Sequence, residues 1–314
     1  MNLYFLHPSI THQLKGKGDF MKKRISANTK DTAYGWLLLL PVVLCIVIVK
    51  WQPIVNGIIR SLYATQGYET TEFVGLQNYR DVLSDTMFMS TIKNTFMYVF
   101  WSLVIGFIPP ILIATLLNEV RFFKRGFRVI TYIPYLAPMV VTSLIFTNLY
   151  MPGENGFLNM LLSTFGIAPS QWLQDPSMTI PLIVVAMTFA GTPGSVVVYL
   201  AALQNVPNEL YEASIIDGAT IWQRFRKITV PSISSTMLLL TARQIIGVFQ
   251  VMEQPLMMTA GGPNNASMSI NLTAYNYAFT YMKVSRSLAL GTCAFVFLII
   301  LSVIYFKLKK KVEG

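Results

Sequence analysis

"YEASIIDGATIWQRFRKITVP" (residues 211–231) is a polar, helix-like segment in a chain that is otherwise mostly apolar. Upstream, Asn205 is a candidate N-cap, Pro207 suits a first turn, and Glu209 and Glu212 favour the positive end of a helix dipole. Gly218 supplies a stop, because glycine takes the left-handed conformation that ends a helix. Thr220 can cap a second helix in which Trp222, Phe225 and Ile228 share a face. Pro231 then opens the next apolar run. The pattern predicts a helix–glycine–helix elbow lying between two hydrophobic spans. Leu210, Tyr211, Ala213, Ile215 and Ile216 give its first helix an apolar face, and Ala213 and Ser214 allow close approach. Such a face suits docking into a partner's groove. It equally suits an amphipathic loop resting on lipid headgroups, and composition alone does not separate the two.

The solvent around this elbow is lipid. The 314 residues are 54% hydrophobic and 12% charged, about half the charged share of a soluble domain. Six runs are long enough to cross a bilayer, which takes about 20 apolar residues. They cover residues 36–59, 95–118, 129–151, 179–204, 232–258 and 287–306. The first is too long for a signal peptide, and no small-residue cleavage site follows it. The fold class expected is therefore all-α and integral to the membrane, with a six-helix domain over residues 33–310. Residues 1–32 and 311–314 read as tails, and residues 205–231 as the connecting elbow.

Charge orients the spans. Lys15, Lys17, Lys22, Lys23, Arg24 and Lys30 precede the first span. Arg121, Lys124, Arg125 and Arg128 follow the second, Arg224, Arg226 and Lys227 follow the fourth, and Lys307, Lys309, Lys310 and Lys311 close the chain. These are 17 of the 24 basic residues, all on one side, so both termini and the elbow are expected in the cytoplasm. The net charge of +10 follows from topology, and a nucleic-acid role has little left to explain. The first 20 residues read as weakly ordered, and Met21 is a natural alternative start. Both histidines, His7 and His12, lie there, leaving the membrane body no imidazole for catalysis or metal binding. Cys45 and Cys293 sit in apolar runs and read as packing residues.

On the opposite side, "EFVGLQNYRDVLSD" (72–85) reads as a short surface helix beginning near Leu76. Residues 157–165 read as a helix lying flat at the interface, and "TAGGPNNAS" (259–267) as a turn cluster. Pro109, Pro110, Pro134, Pro138, Gly191, Pro193 and Gly194 break spans. They read as packing kinks, or as hinges of a cavity.

Spacing decides the role of the elbow. Glu212-Ala213-Ser214, three residues, Gly218, nine residues and then Ile228-x-Val230-Pro231 resembles the EAA signature of ABC-importer permeases, E-A-A-x3-G-x9-I-x-L-P. Ser214 for Ala and Val230 for Leu are the departures. In that family the segment is the coupling helix that seats in a cleft of the ATPase subunit, which implies that role for Leu210, Tyr211, Glu212, Ala213, Ser214, Asp217 and Gly218. "GWLLLLPVVLCIVIVKWQPIVNGIIRSLY", "FVGLQNYRDVLSD", "NGFLNMLL" and "TAGGPNNAS" resemble the carbohydrate branch, similar to the maltose-type permease with an extra N-terminal span. The resemblance covers about residues 33–310 and implies the type I (MetI-like) importer fold. The partners it implies are a second homologous permease, two ATPase subunits and an external sugar-binding protein.

No G-x-x-x-x-G-K-[ST] occurs, so the chain is read as a transport subunit, not an enzyme, with ATP and magnesium on the partner ATPases and no cofactor of its own. Charge inside spans is costly and usually functional. Lys50 can snorkel. Arg243 and Glu253 lie ten residues apart, about 15 Å of rise, and do not pair directly. Sugars call for hydrogen-bonding side chains and aromatic faces. Arg243, Gln244, Phe249, Gln250, Glu253, Tyr275 and Asn276 are the pathway residues expected, with helix–helix hydrogen bonding as the competing role. A secondary transporter or channel, or a permease for glycerol-phosphate or a peptide, are the other functions considered. The first would need an ionisable relay, for which only Arg243 and Glu253 are candidates, and no inverted repeat is visible.

Overall fold

The computed structural model describes residues 29–120 and 123–313, so the N-terminal tail with His7, His12 and the alternative start at Met21 lies outside the described residues. The chain divides into two units, the first ending at Gly57. The first unit is carried by helix α1 (Tyr34–Arg60), from Trp36 to Trp51 an almost unbroken run of exposed apolar side chains. Pro53 has no N–H to offer the Val49 carbonyl, and the helix widens just before it. Val47–Trp51 forms a π turn in which the Gln52 N–H reaches back to Val47.

The second unit starts at Ile58, in the last turn of α1, and continues with a two-stranded antiparallel hairpin, β1 (Tyr63–Gln66) and β2 (Glu69–Phe73), an addition to the all-helical expectation. Gly67, at φ +59°, makes the turn, and the Tyr63 and Phe73 rings meet edge to face at 5.3 Å. Helix α2 (Gln77–Leu83) follows. Then come α3 (Phe88–Glu119), α4 (Arg125–Leu136), α5 (Met139–Leu149), α6 (Phe157–Thr164) and α7 (Thr179–Gln204). The elbow is α8 (Asn208–Ile216) and α9 (Ile221–Ser232), and α10 (Ser234–Phe249), α11 (Glu253–Thr259), α12 (Ile270–Tyr275) and α13 (Val284–Glu313) complete the unit. Four helices are individually long and apolar enough to span a bilayer, rising to six when the bent pairs α4–α5 and α9–α10 each count once.

The expected single span over 129–151 is instead α4 and α5, bent by 91°. Ala137 precedes Pro138 and is pushed out of the helical region, to φ −70°, ψ 131°. The expected span over 232–258 is interrupted at residues 250–252. Pro255 cannot donate to the Val251 carbonyl, so a new helix starts at Glu253, where first-turn residues need no donor. The freed carbonyls are taken up by the loop that follows: Ser269 Oγ donates to Val251 at 2.5 Å and Asn271 Nδ2 to Gln250 at 3.0 Å. Such breaks survive in lipid only where the backbone finds partners of this kind.

Side chains of α3 pin the rest of that loop. Asn94 donates to the Asn265 and Met268 carbonyls, Tyr98 to that of Ser267 at 3.0 Å, and Thr95 accepts from the Ile270 N–H. One core cluster joins α3, α7 and α10 around Tyr98, Ile183 and Val248. A second joins α3, α7 and the elbow around Ala114, Tyr199 and Ile233, and a third packs α2 and α12 on α13.

The start of α13 is also tied by charge. Arg286 pairs with Asp81 at 2.6 Å, and the Tyr277 hydroxyl donates to Asp85 at 2.6 Å. That hydrogen bond, the Met87 N–H, and nearby Arg286 and Lys283 hold the Asp85 carboxyl below its ordinary range against the opposing effect of burial. A depressed folded pKa gives stability that is present above the unfolded value and lost as pH falls through the folded one. Replacing Asp85 by Asn should cost about 1–2 kcal/mol at pH 7, with Tyr277→Phe costing a similar amount and the double variant little more. Thermal unfolding of the purified protein should show the gap between wild type and Asp85→Asn closing as pH drops below about 4.

Candidate functional site

The elbow begins two residues later than its sequence suggests. Asn205 does not cap α8. Its backbone remains near-helical (φ −87°, ψ −7°) and its N–H closes α7 on the Ala202 and Leu203 carbonyls. The turning point is Pro207, extended at ψ 131°, and Val206 before it is disfavoured from continuing α7. At the other end the stop is complete. Gly218 sits at φ +72°, its N–H bonds Ile215, and the Ala219 N–H bonds Ser214 at 2.9 Å. This six-to-one and five-to-two pair is a Schellman motif. Thr220 then caps α9 in a full capping box with Gln223. A second π turn, Phe225–Thr229, precedes Pro231 just as the first precedes Pro53.

The seven elbow residues divide by direction. Tyr211 turns inward: its hydroxyl meets Thr229 Oγ1 at 3.1 Å and its ring packs on the α3–α7 cluster. Ser214, one turn later, returns its hydroxyl to the Tyr211 carbonyl at 2.7 Å, so the departure from alanine is satisfied locally. Leu210, Glu212, Ala213, Asp217 and Gly218 are exposed, and with Ile215 and the 86% exposed Ile216 they form an apolar and acidic tip. Trp222 stacks on Phe225 at 5.6 Å behind it. A tip with this much uncovered apolar surface marks an interaction site.

The second element is a cavity of about 210 Å³ between α3, α7 and α10. Ser102, Thr188, Thr192, Ser195, Arg243 and Gln244 supply its polar wall, with glycines 106, 191 and 247 between them. Gln244 both lines the cavity and bonds across it, donating to the Ser102 carbonyl at 2.6 Å. Gly106 lets the helices approach: a Cβ there would stand 2.9 Å from Gln244 Nε2 and 3.1 Å from Thr188 Oγ1. Arg243 is exposed and, among the described residues, has no hydrogen-bond or ion-pair partner.

The other expected pathway residues are elsewhere. Phe249 is buried in core, stacked on Phe297 at 4.7 Å and edge-on to Phe96, so its faces serve packing. Gln250 and Glu253 flank the break above α10, and both are exposed. Tyr275 packs on Phe279, and Asn276 contacts Met268 and Thr280. Sequence reasoning missed Thr188, Thr192 and Ser195. Their signal was the small and hydroxyl run "TFAGTPGS" (188–195), read for its breakers instead of its hydroxyls.

A helical chain with multiple spans, an exposed elbow and a polar cavity between spans is built as a membrane permease. The chain belongs to the family of binding-protein-dependent transport system inner membrane components, which matches residues 106–314. It is 30% identical over 277 residues to the lactose transport system permease protein LacF of Rhizobium radiobacter, covering 87% of this chain and 91% of the relative. The trehalose/maltose transport system permease protein MalF of Thermococcus litoralis is 30% identical over 88% of this chain and 94% of its own length. The fold matches that of a bacterial ABC transporter involved in import of the acidic polysaccharide alginate, with TM-score 0.78 and 23% identity over 91% of this chain and 99% of that one. The fold is thus that of a type I ABC importer permease.

Two outcomes test this geometry. Gly218→Ala should cost about 1–2 kcal/mol of local stability and Gly218→Asn less, read as faster hydrogen exchange of the 213–220 amides. With Cys45 and Cys293 changed to serine, Thr188→Cys and Ser195→Cys should label with a small impermeant thiol reagent, while Leu203→Cys in the core cluster stays unlabelled.

Proposed function

We propose that the chain forms half of the translocation pathway of an ATP-driven importer for a carbohydrate, an oligosaccharide by the sugars named for its relatives. The observation that carries this reading is the elbow tip. It is rigid, capped at both helices and seated on the core by Tyr211, yet its Leu210, Ile215 and Ile216 are uncovered. A rigid apolar knob with Glu212 beside it suits a cleft in an ATPase subunit. Two such permeases, two ATPases and an external sugar-binding protein complete the machine. The basic ends and both termini face the cytoplasm, in the cytoplasmic membrane of a bacterium. ATP and magnesium stay on the motor subunits, and this chain makes or breaks no bond.

Force applied to the tip has a short path inward. Tyr211 and Phe225 pack in the cluster that also holds Ile111, Leu200 and Leu240, and Leu240 lines the cavity. Closure of the motor dimer would therefore tilt α3, α7 and α10 about the cavity. Its hydroxyls and Gln244 offer a sugar the hydrogen bonds it makes in water. Arg243 favours a second reading of the cargo, an acidic or phosphorylated solute, since a carboxylate or phosphate would neutralise it.

The reading is tested with all subunits in proteoliposomes. Glu212→Lys and Gly218→Pro should insert normally but lose transport and binding-protein-stimulated ATPase activity by at least tenfold. Undiminished stimulation in both would overturn the coupling role. Uptake of neutral against uronate-bearing oligosaccharides separates the two cargo readings.

A further inference from the structure

We infer that the hollow between the end of α3 and the elbow is a site for a phospholipid with a zwitterionic, ammonium-bearing headgroup. A cavity of about 390 Å³ has apolar walls from Leu112, Leu116, Ile221, Trp222 and Phe225. It abuts a more polar space of about 780 Å³, bounded among others by Asn118, Gln204 and Asn208. Glu119 and Arg224 lie on the walls of both.

Three observations point to the occupant. Opposite charges share one cavity without pairing: no ion pair joins Glu119 to Arg224. Arg224 lines both spaces with no side-chain hydrogen bond or ion pair among the described residues, so an anion entering them meets an uncommitted guanidinium. Glu119 closes α3, where the helix dipole is negative and a cation is favoured. An anion alone would meet Glu119, and a cation alone would leave Arg224 unanswered. A headgroup that carries both a phosphate and an ammonium answers both.

The apolar wall then takes an acyl chain, and Trp222, 68% exposed, stands where indole rings prefer to sit, at the membrane boundary. The location rests on the cytoplasmic orientation proposed above, but not on the cargo. A lipid held there touches Tyr211, Phe225 and Thr229, the residues that seat the elbow, so its presence would set how firmly the elbow follows the motor.

The purified transporter, with all its subunits, is exchanged into mixed micelles of phosphatidylethanolamine and phosphatidylglycerol and examined by native mass spectrometry. The expected result is about one retained phosphatidylethanolamine per copy of this chain, in preference to phosphatidylglycerol. Glu119→Gln, nearly isosteric and exposed, should reduce that preference at least fivefold, and Arg224→Gln should lose retention of both lipids. Equal retention of the two lipids by the wild type overturns the inference, as does an unchanged preference in Glu119→Gln. Crosslinking of Leu116→Cys to an ATPase subunit also overturns it, because the hollow would then belong to a protein partner.

Discussion

A backbone carbonyl freed inside hydrocarbon has no water to turn to, and this constraint shapes the main helix breaks of the molecule. Prolines 53, 138, 231 and 255 each withdraw a donor from a helix. Before Pro53 and Pro231 the helix answers by widening into a π turn that recovers a bond one residue further back. At Pro138 the chain breaks outright into α4 and α5. Before Pro255 the break is repaired from outside, by Ser269 and Asn271 of a loop itself fastened to α3. At Pro53, Pro231 and Pro255 a local repair stands beside the proline, which is what lets such breaks survive in lipid.

The repairs also distribute rigidity. At the far end, the loop over α11, the hairpin and the start of α13 are held by hydrogen bonds and the Arg286–Asp81 pair. At the elbow end, the capping box, the Schellman turn and the Tyr211–Thr229 contact make a stiff lever. Between them lies a cavity bordered in part by glycine and hydroxyl residues.

The sequence carried the ends of this structure better than its middle. Thr220, Gly218 and the apolar runs announce themselves because capping, left-handed glycine and hydrophobic length are local properties. Asn205 misled, since its side chain suits a cap but the path of the chain leaves it at the end of α7 and puts Pro207 at the start of α8. The hairpin was obscured by its brevity and by "QGYETTEF", whose polar residues read as loop. Which residues face the cavity was illegible for a different reason. A span is apolar on most sides, so periodicity cannot separate Gln244, on the cavity wall, from Phe249, five residues on and buried against Phe297. Helix–helix packing decides orientation there, and packing is not local.

The π turn at Phe225–Thr229 is also a question of angle. One residue inserted into a helical turn rotates all that follows by about 100° relative to an unbroken α-helix. Phe225 and Ile228 pack on the core while Arg226 and Lys227 stay exposed, and the added residue resets the heading of the chain that follows, from Val230 into α10. The elbow therefore behaves as a spline with one tooth of adjustment. A chain of this kind that gains or loses one residue there would index its lever to a new heading without altering either helix it joins.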